Sequence, residues 1–78
     1  MPKWYWDYLS CIINNCSPEA KKLDDYLDSV RKRLIARELL DDEELTGEVD
    51  RKRYRLTLFY RGKLLCVIGF GGVEWVEI

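Results

Sequence analysis

An α+β fold in the order ααβββ is predicted by three features of the chain. A capped apolar stripe at three- and four-residue spacing follows Pro18, two-residue alternation takes over from Arg53, and glycine-bearing turns divide the C-terminal third into three strands. The two helices are expected to pack on one face of a three-stranded antiparallel meander. At 78 residues the chain has room for one small domain, 1–78. A domain of this size has a marginal core, which disfavours a deep enclosed active site and favours function on an outer surface.

The first helix is expected over 3–15. Trp4, Tyr5, Tyr8, Leu9, Cys11, Ile12 and Ile13 suit a short helix with a broad apolar face, and Asn14-Asn15 would close it. The aromatic and β-branched residues in this stretch also permit a strand. The second helix is expected over 18–40. Ser17-Pro18-Glu19 supplies a capping hydroxyl, a proline at the first helical position and an acid in the first turn. Ala20, Leu23, Leu27, Val30 and Leu34 then form one stripe, widened by Tyr26, Ile35, Leu39 and Leu40, and Asp28 and Lys32 make an i,i+4 pair on the wet face. Residues 41–50 read as an acidic linker. Asp41-Asp42-Glu43-Glu44 stacks four acids where a helix C-terminus disfavours them, so the helix should break there, with Gly47 ending any turn that persists.

Strands are expected at 53–60, 64–70 and 73–78. In the first, Tyr54, Leu56, Leu58 and Tyr60 alternate with Arg53, Arg55, Thr57 and Phe59. Arg61-Gly62-Lys63 is a turn, the second strand is apolar on both faces, and Gly71-Gly72 is a two-residue hairpin signal. That hairpin would pair Phe70 with Val73, Ile68 with Trp75 and Cys66 with Glu77. A three-residue first loop would add Tyr54, Leu56, Leu58 and Tyr60 to the same face, whereas a two-residue loop would put Arg53 and Arg55 there. The first register gives the long helix a continuous surface to cover. The opposite face then carries Phe59, Leu65, Val67, Val76 and Ile78, ringed by Arg53, Arg55 and Glu74. An apolar patch rimmed by charge points to an interface.

Composition excludes more than it assigns. Thirteen basic and fourteen acidic residues leave a net charge of −1, so bulk charge favours neither nucleic acid nor membrane. No histidine is present, which removes the commonest general base and the commonest transition-metal ligand. The N-terminal segment lacks a signal-peptide core, no stretch is long enough to span a membrane, and three cysteines cannot all pair, so a cytoplasmic protein is expected. Cys11, Cys16 and Cys66 read as buried structural thiols, and Asn15-Cys16-Ser17 as a chance glycosylation match. Gly69-Phe70-Gly71-Gly72 is turn chemistry, because a phosphate loop needs a helix N-terminus behind it. The acids Asp24, Asp25 and Asp28 and those at 41–44 lack calcium-loop spacing and read as solvated faces. Neither metal nor cofactor is expected, and no catalytic residue.

Two surfaces remain. Of Trp4, Tyr5, Trp6 and Tyr8 most are expected to pack in the core, but the adjacent Trp4, Tyr5 and Trp6 cannot all face inward on a helix, so Trp4 and Trp6 join Phe59, Val67, Val76 and Ile78 as candidate protein-interface residues. Arg51, Lys52, Arg53, Arg55, Arg61 and Lys63 fall in one acid-free segment interleaved with Tyr54, Phe59 and Tyr60, a candidate nucleic-acid contact. The same charges would also protect an edge strand from unwanted pairing. Arg31-Lys32-Arg33 and Arg37 would extend the patch only if the fold brought them to the same side.

Tyr54-Arg55-Leu56 through Ile68-Gly69-Phe70, about 17 residues, resembles the terminal hairpin of RelE/HigB-type ribonuclease toxins. That family opens on a strand and uses basic or histidine side chains near the chain end. Gly71-Gly72 and Glu74 occupy that region here, so no catalytic residue carries over. The reading is a small non-catalytic protein-binding module, acting on itself or on another protein by binding or occlusion. A compact phage- or host-type inhibitor of a larger enzyme is one version. The alternative is a nucleic-acid-associated protein using the 51–63 segment.

Overall fold

The computed structural model describes residues 2–76. Two helices, α1 (Lys3–Ile13) and α2 (Pro18–Ala36), precede four strands, β1 (Leu45–Asp50), β2 (Arg55–Tyr60), β3 (Lys63–Gly69) and β4 (Gly72–Trp75). The strands pair antiparallel in the order β1-β2-β3-β4. The fold class is therefore α+β, with a four-stranded meander where three strands were expected. The expected strand end at 77–78, the Cys66–Glu77 pair and Ile78 lie outside the described residues.

α1 is helical rather than extended, and it closes at Ile13 instead of 15. Asn14 N–H donates to Ser10 C=O and Asn15 N–H to Ile12 C=O, after which the Asn15 side chain accepts from Ser17 N–H at 3.0 Å. Ser17 then caps α2, its hydroxyl oxygen accepting from Ala20 N–H at 3.3 Å with Pro18 at the first helical position.

α2 ends at Ala36, short of the expected 40. Glu38 takes a left-handed φ of +59°, Leu39 N–H donates to Leu34 C=O at 2.8 Å, and Glu38 N–H donates to Ile35 C=O at 3.0 Å. These paired bonds are a Schellman close, made here without the usual glycine. Leu40 still reaches the core, from the loop.

The expected acidic linker contains β1. Leu45, Gly47 and Val49 alternate with Thr46, Glu48 and Asp50, a two-residue period that the glycine and the acids disguise. Gly47 is fixed by packing rather than by a turn. A Cβ at that position would lie 2.6 Å from Trp4 Cβ and Cγ and 3.1 Å from a Leu58 methyl, so α1 sits directly on the β1 backbone.

β2 starts at Arg55, not 53, because residues 51–54 form the β1–β2 turn. The Asp50 carboxylate accepts from Lys52 N–H at 3.1 Å and Arg53 N–H at 3.2 Å, and Tyr54 completes the turn at φ +52°. The carbonyl of Tyr54 accepts from the Tyr8 hydroxyl at 2.7 Å, which ties α1 to this end of the sheet.

The β2–β3 turn has two residues, Arg61 (φ +54°) and Gly62 (φ +77°), the type I′ geometry that matches strand twist. A bulge follows. Phe59 pairs with Leu64 but Leu58 pairs with Cys66, leaving Leu65 as the extra residue. Leu65 and Cys66 are consequently both buried. Past the bulge Leu56 faces Ile68 and Leu58 faces Cys66, the alignment expected of a three-residue loop. The last hairpin turns on Phe70-Gly71, so Ile68 pairs with Val73 and Cys66 with Trp75. This is a shift of two residues from the expected register, which keeps every side chain on its expected face.

α1 packs on β1, and α2 on β3 and β4. The two helices share one core with Leu45, Leu56, Leu58, Leu65, Cys66 and Ile68, so they lie on the same side of the sheet. Tyr8, Leu23, Leu27, Val30, Leu34 and Leu56 are among the side chains fully removed from solvent.

Candidate binding face

With both helices on one side, the other face of the sheet is bare, and the pairing orders its side chains into rows. At the end nearest the β1–β2 turn are Asp50 and Arg55, paired, and Gly69 and Gly72, paired. The middle row runs Glu48, Thr57, Val67, Glu74, each paired with the next. The far row holds Thr46, Phe59 and Leu64, with Val76 reaching it through its N–H bond to Leu65 C=O at 2.9 Å. Rows two residues apart along a strand are separated by roughly 6.7 Å. The face therefore grades from a row where Asp50 sits beside Arg55, through a row with an acid at each margin, to a mostly apolar row. Leu64 is 39% exposed and Val76 42%, while Phe59 and Val67 are half-buried.

A concavity of about 710 Å³ opens at the Arg55 end. Arg53, Arg55, Val67, Phe70 and Glu74 line it, together with the three glycines of the last hairpin. The Phe70 ring, 46% exposed at the hairpin tip, rests against Tyr54 with ring centroids 5.8 Å apart. Gly72 needs its freedom, at φ +116°, but Gly69 and Gly71 have neither a positive φ nor any atom within 4 Å of an added Cβ. Their lack of side chains serves no contact within the chain. Among the described residues neither Arg53 nor Arg55 forms an ion pair, the salt bridges being those from Asp28 to Arg31 and Lys32.

The candidate interface residues separate. Phe59, Val67 and Val76 share the bare face. Trp4 is buried at 6% exposure, packed on Gly47 in the core, because the helical phase that places Tyr8, Cys11 and Ile12 inward places Trp4 with them. Trp6 is 55% exposed and, like Ile13, points away from the sheet, so it belongs to the helical side of the molecule. The basic segment divides as well. Arg51, Lys52, Arg53 and Arg55 lie at the β1–β2 turn, and Arg61 and Lys63 at the opposite end of β2, roughly 17 Å away at ~3.4 Å per residue. Arg33 is held over the Trp75 ring at 4.3 Å on the helical side, and Arg31 and Lys32 bind Asp28 at 2.9 and 3.0 Å. Those hydrogen bonds hold the Asp28 carboxyl below its usual range.

The remaining chemistry is structural. Burial raises the Cys11 thiol and pushes Cys66 up to about 12, so both stay protonated at neutral pH. Cys16 is exposed, against the expectation that all three thiols are buried. Asp42 is tied into its own loop, accepting from Glu44 N–H at 2.9 Å and from the Tyr60 hydroxyl at 3.0 Å. Among the described residues no group of three or more His, Cys, Asp or Glu is placed to hold a metal, and no helix is long and apolar enough to cross a membrane. The segment with the toxin-like hairpin pattern forms β2 and β3 of the meander.

Gly69 and Gly71 gave the one signal of the concavity that sequence reasoning set aside, since both were absorbed into turn chemistry. No family model, curated protein or solved structure significantly matches this chain.

Proposed function

We propose that the chain is a small protein-binding module that works through the bare face of its sheet, by binding or occlusion rather than by chemistry. The observation that supports this is the one-sided placement of both helices. It leaves Phe59, Leu64, Val67 and Val76 uncovered on the far side of a four-stranded sheet. Sheets of this kind ordinarily bury one face and solvate the other with polar side chains. Here three of the four positions in the far row, Phe59, Leu64 and Val76, are apolar instead.

The test is capture of a partner from native lysate after nuclease treatment, using tagged wild type and the Val67→Asp/Val76→Asp variant. Both must be shown folded by circular dichroism. Wild type should retain a stoichiometric protein and the variant should lose it. The nucleic-acid alternative predicts the reverse, with capture abolished by nuclease, by Arg51→Gln/Arg53→Gln/Arg55→Gln, and steeply by salt. The separation of Arg61 and Lys63 from the other four cations weighs against it.

A further inference from the structure

We propose that the bare face is built for a different protein rather than for a second copy of this chain, and that this partner presents a carboxylate side chain to Arg53 and Arg55. The inference rests on the reading of that face as a docking surface, and the pattern of charge across its rows carries it.

Consider first a second copy stacked face to face. A two-fold axis along the strands sets β1 of one copy over β4 of the other, so Glu48 meets Glu74 twice. An axis across the strands sets each strand over itself, so Glu48 meets Glu48 and Glu74 meets Glu74. Both aligned arrangements bring like charges together at the two margins of the middle row, at the rim of the contact. Neither brings a carboxylate to Arg55. Its counterpart is Gly69 in the first case and Phe59 in the second.

The arginine end differs: Asp50, beside Arg55 on this face, accepts from the Lys52 and Arg53 N–H groups and forms no ion pair with either arginine. Arg53 and Arg55 are exposed, lack an ion-pair partner among the described residues, and border a concavity whose hairpin wall includes Gly69 and Gly71. Neither of these glycines is required by its own backbone angles or by packing. Gly69 ends β3 and Gly71 sits in the turn, and with no side chain at either this wall presents bare backbone to an approaching group. Two guanidinium forks beside such a wall suit a planar carboxylate. Glu48 and Glu74 sit one row further along, roughly 6.7 Å away, where a long polyanion would be repelled and a single carboxylate would not. The matching surface therefore offers an acid, then a base, then an apolar group at that spacing.

The test is a nuclear magnetic resonance titration of the full ¹⁵N-labelled chain. The probes are N-acetylglutamate N-methylamide, its glutamine counterpart and inorganic phosphate, with sedimentation of the chain alone at millimolar concentration alongside. The glutamate probe should shift the amides of Arg55, Gly69, Gly71 and Gly72 saturably, the glutamine probe should not, and Arg53→Gln/Arg55→Gln should weaken the response at least about tenfold. The chain should sediment as a monomer. Equal response to glutamine, no saturable response, saturation by phosphate at lower concentration, or a wild-type dimer dissolved by Val67→Asp each overturns the proposal. If the titration fails while Val67→Asp/Val76→Asp still abolishes partner capture, the carboxylate falls and the docking face stands. If the titration succeeds while that variant still captures the partner, the docking face falls and takes this inference with it.

Discussion

Replacing Tyr8 by phenylalanine removes one oxygen from the interior and tests how α1 is anchored. The Tyr8 side chain is fully buried, and its hydroxyl donates at 2.7 Å to the carbonyl of Tyr54, a residue itself held at φ +52°. A neutral hydrogen bond is worth about 1 kcal/mol net, and a carbonyl left without a donor away from bulk water adds to the loss. The expected destabilisation is about 1.5 kcal/mol, or roughly a 6–12 °C drop in Tm for a domain of this size. Urea unfolding followed by circular dichroism measures it, with an unchanged m-value showing that the two end states are the same. Tyr8→Leu, which also deletes ring packing, should cost about 3 kcal/mol or more. A Tyr8→Phe protein within about 0.3 kcal/mol of wild type would refute the reasoning, because the bond would then be balanced by solvation of the Tyr54 carbonyl.

Gly47→Ala should cost about 2 kcal/mol in the same assay, since its Cβ must displace the rigid stem of Trp4, whereas Gly69→Ala should be nearly neutral because its Cβ meets open space. Glu38→Gly should stabilise the chain by about 1 kcal/mol by relieving a left-handed non-glycine residue at the α2 close, read as a raised urea midpoint. The thiol of Cys66, pushed up to about 12 by burial, lies above its unfolded value near 9. Its contribution is therefore full below about pH 9 and lost as pH rises from there toward 12, at up to ~1.4 kcal/mol per pH unit. Cys66→Ala should flatten that limb of the stability–pH curve.

Elements whose signals are local were legible in the sequence. The start of α2 is written in Ser17-Pro18-Glu19, and its inward face in the run from Ala20 to Leu34. The alternation of Leu56 and Leu58 and of Cys66 and Ile68 gave both the strands and the faces they present. What escaped was set by contacts across the chain. β1 has the right period, but its central inward residue is Gly47, chosen to admit Trp4 from α1, and no reading of 45–50 alone reveals that demand. The end of α2 escaped because a Schellman close commonly announces itself with glycine and here uses Glu38. The bulge at Leu65 gives a two-residue turn the strand alignment of a three-residue one. For the candidate face, Phe59, Val67 and Val76 followed from strand parity. The grouping of Arg53 and Arg55 with Phe70 and the glycines depends on where two separate hairpins end.

Because each strand pairs with its neighbour in sequence, the sheet can assemble from short loop closures, which are fast. The bond from Tyr8 to Tyr54 spans 46 residues, a far longer loop closure than any strand pairing in the sheet requires. If the contact forms after the folding transition state, Tyr8→Phe should leave the refolding arm of a chevron in place and raise the unfolding rate. The clasp between first helix and first hairpin would then lengthen the life of the folded molecule, and with it the time for which the bare face stays presented.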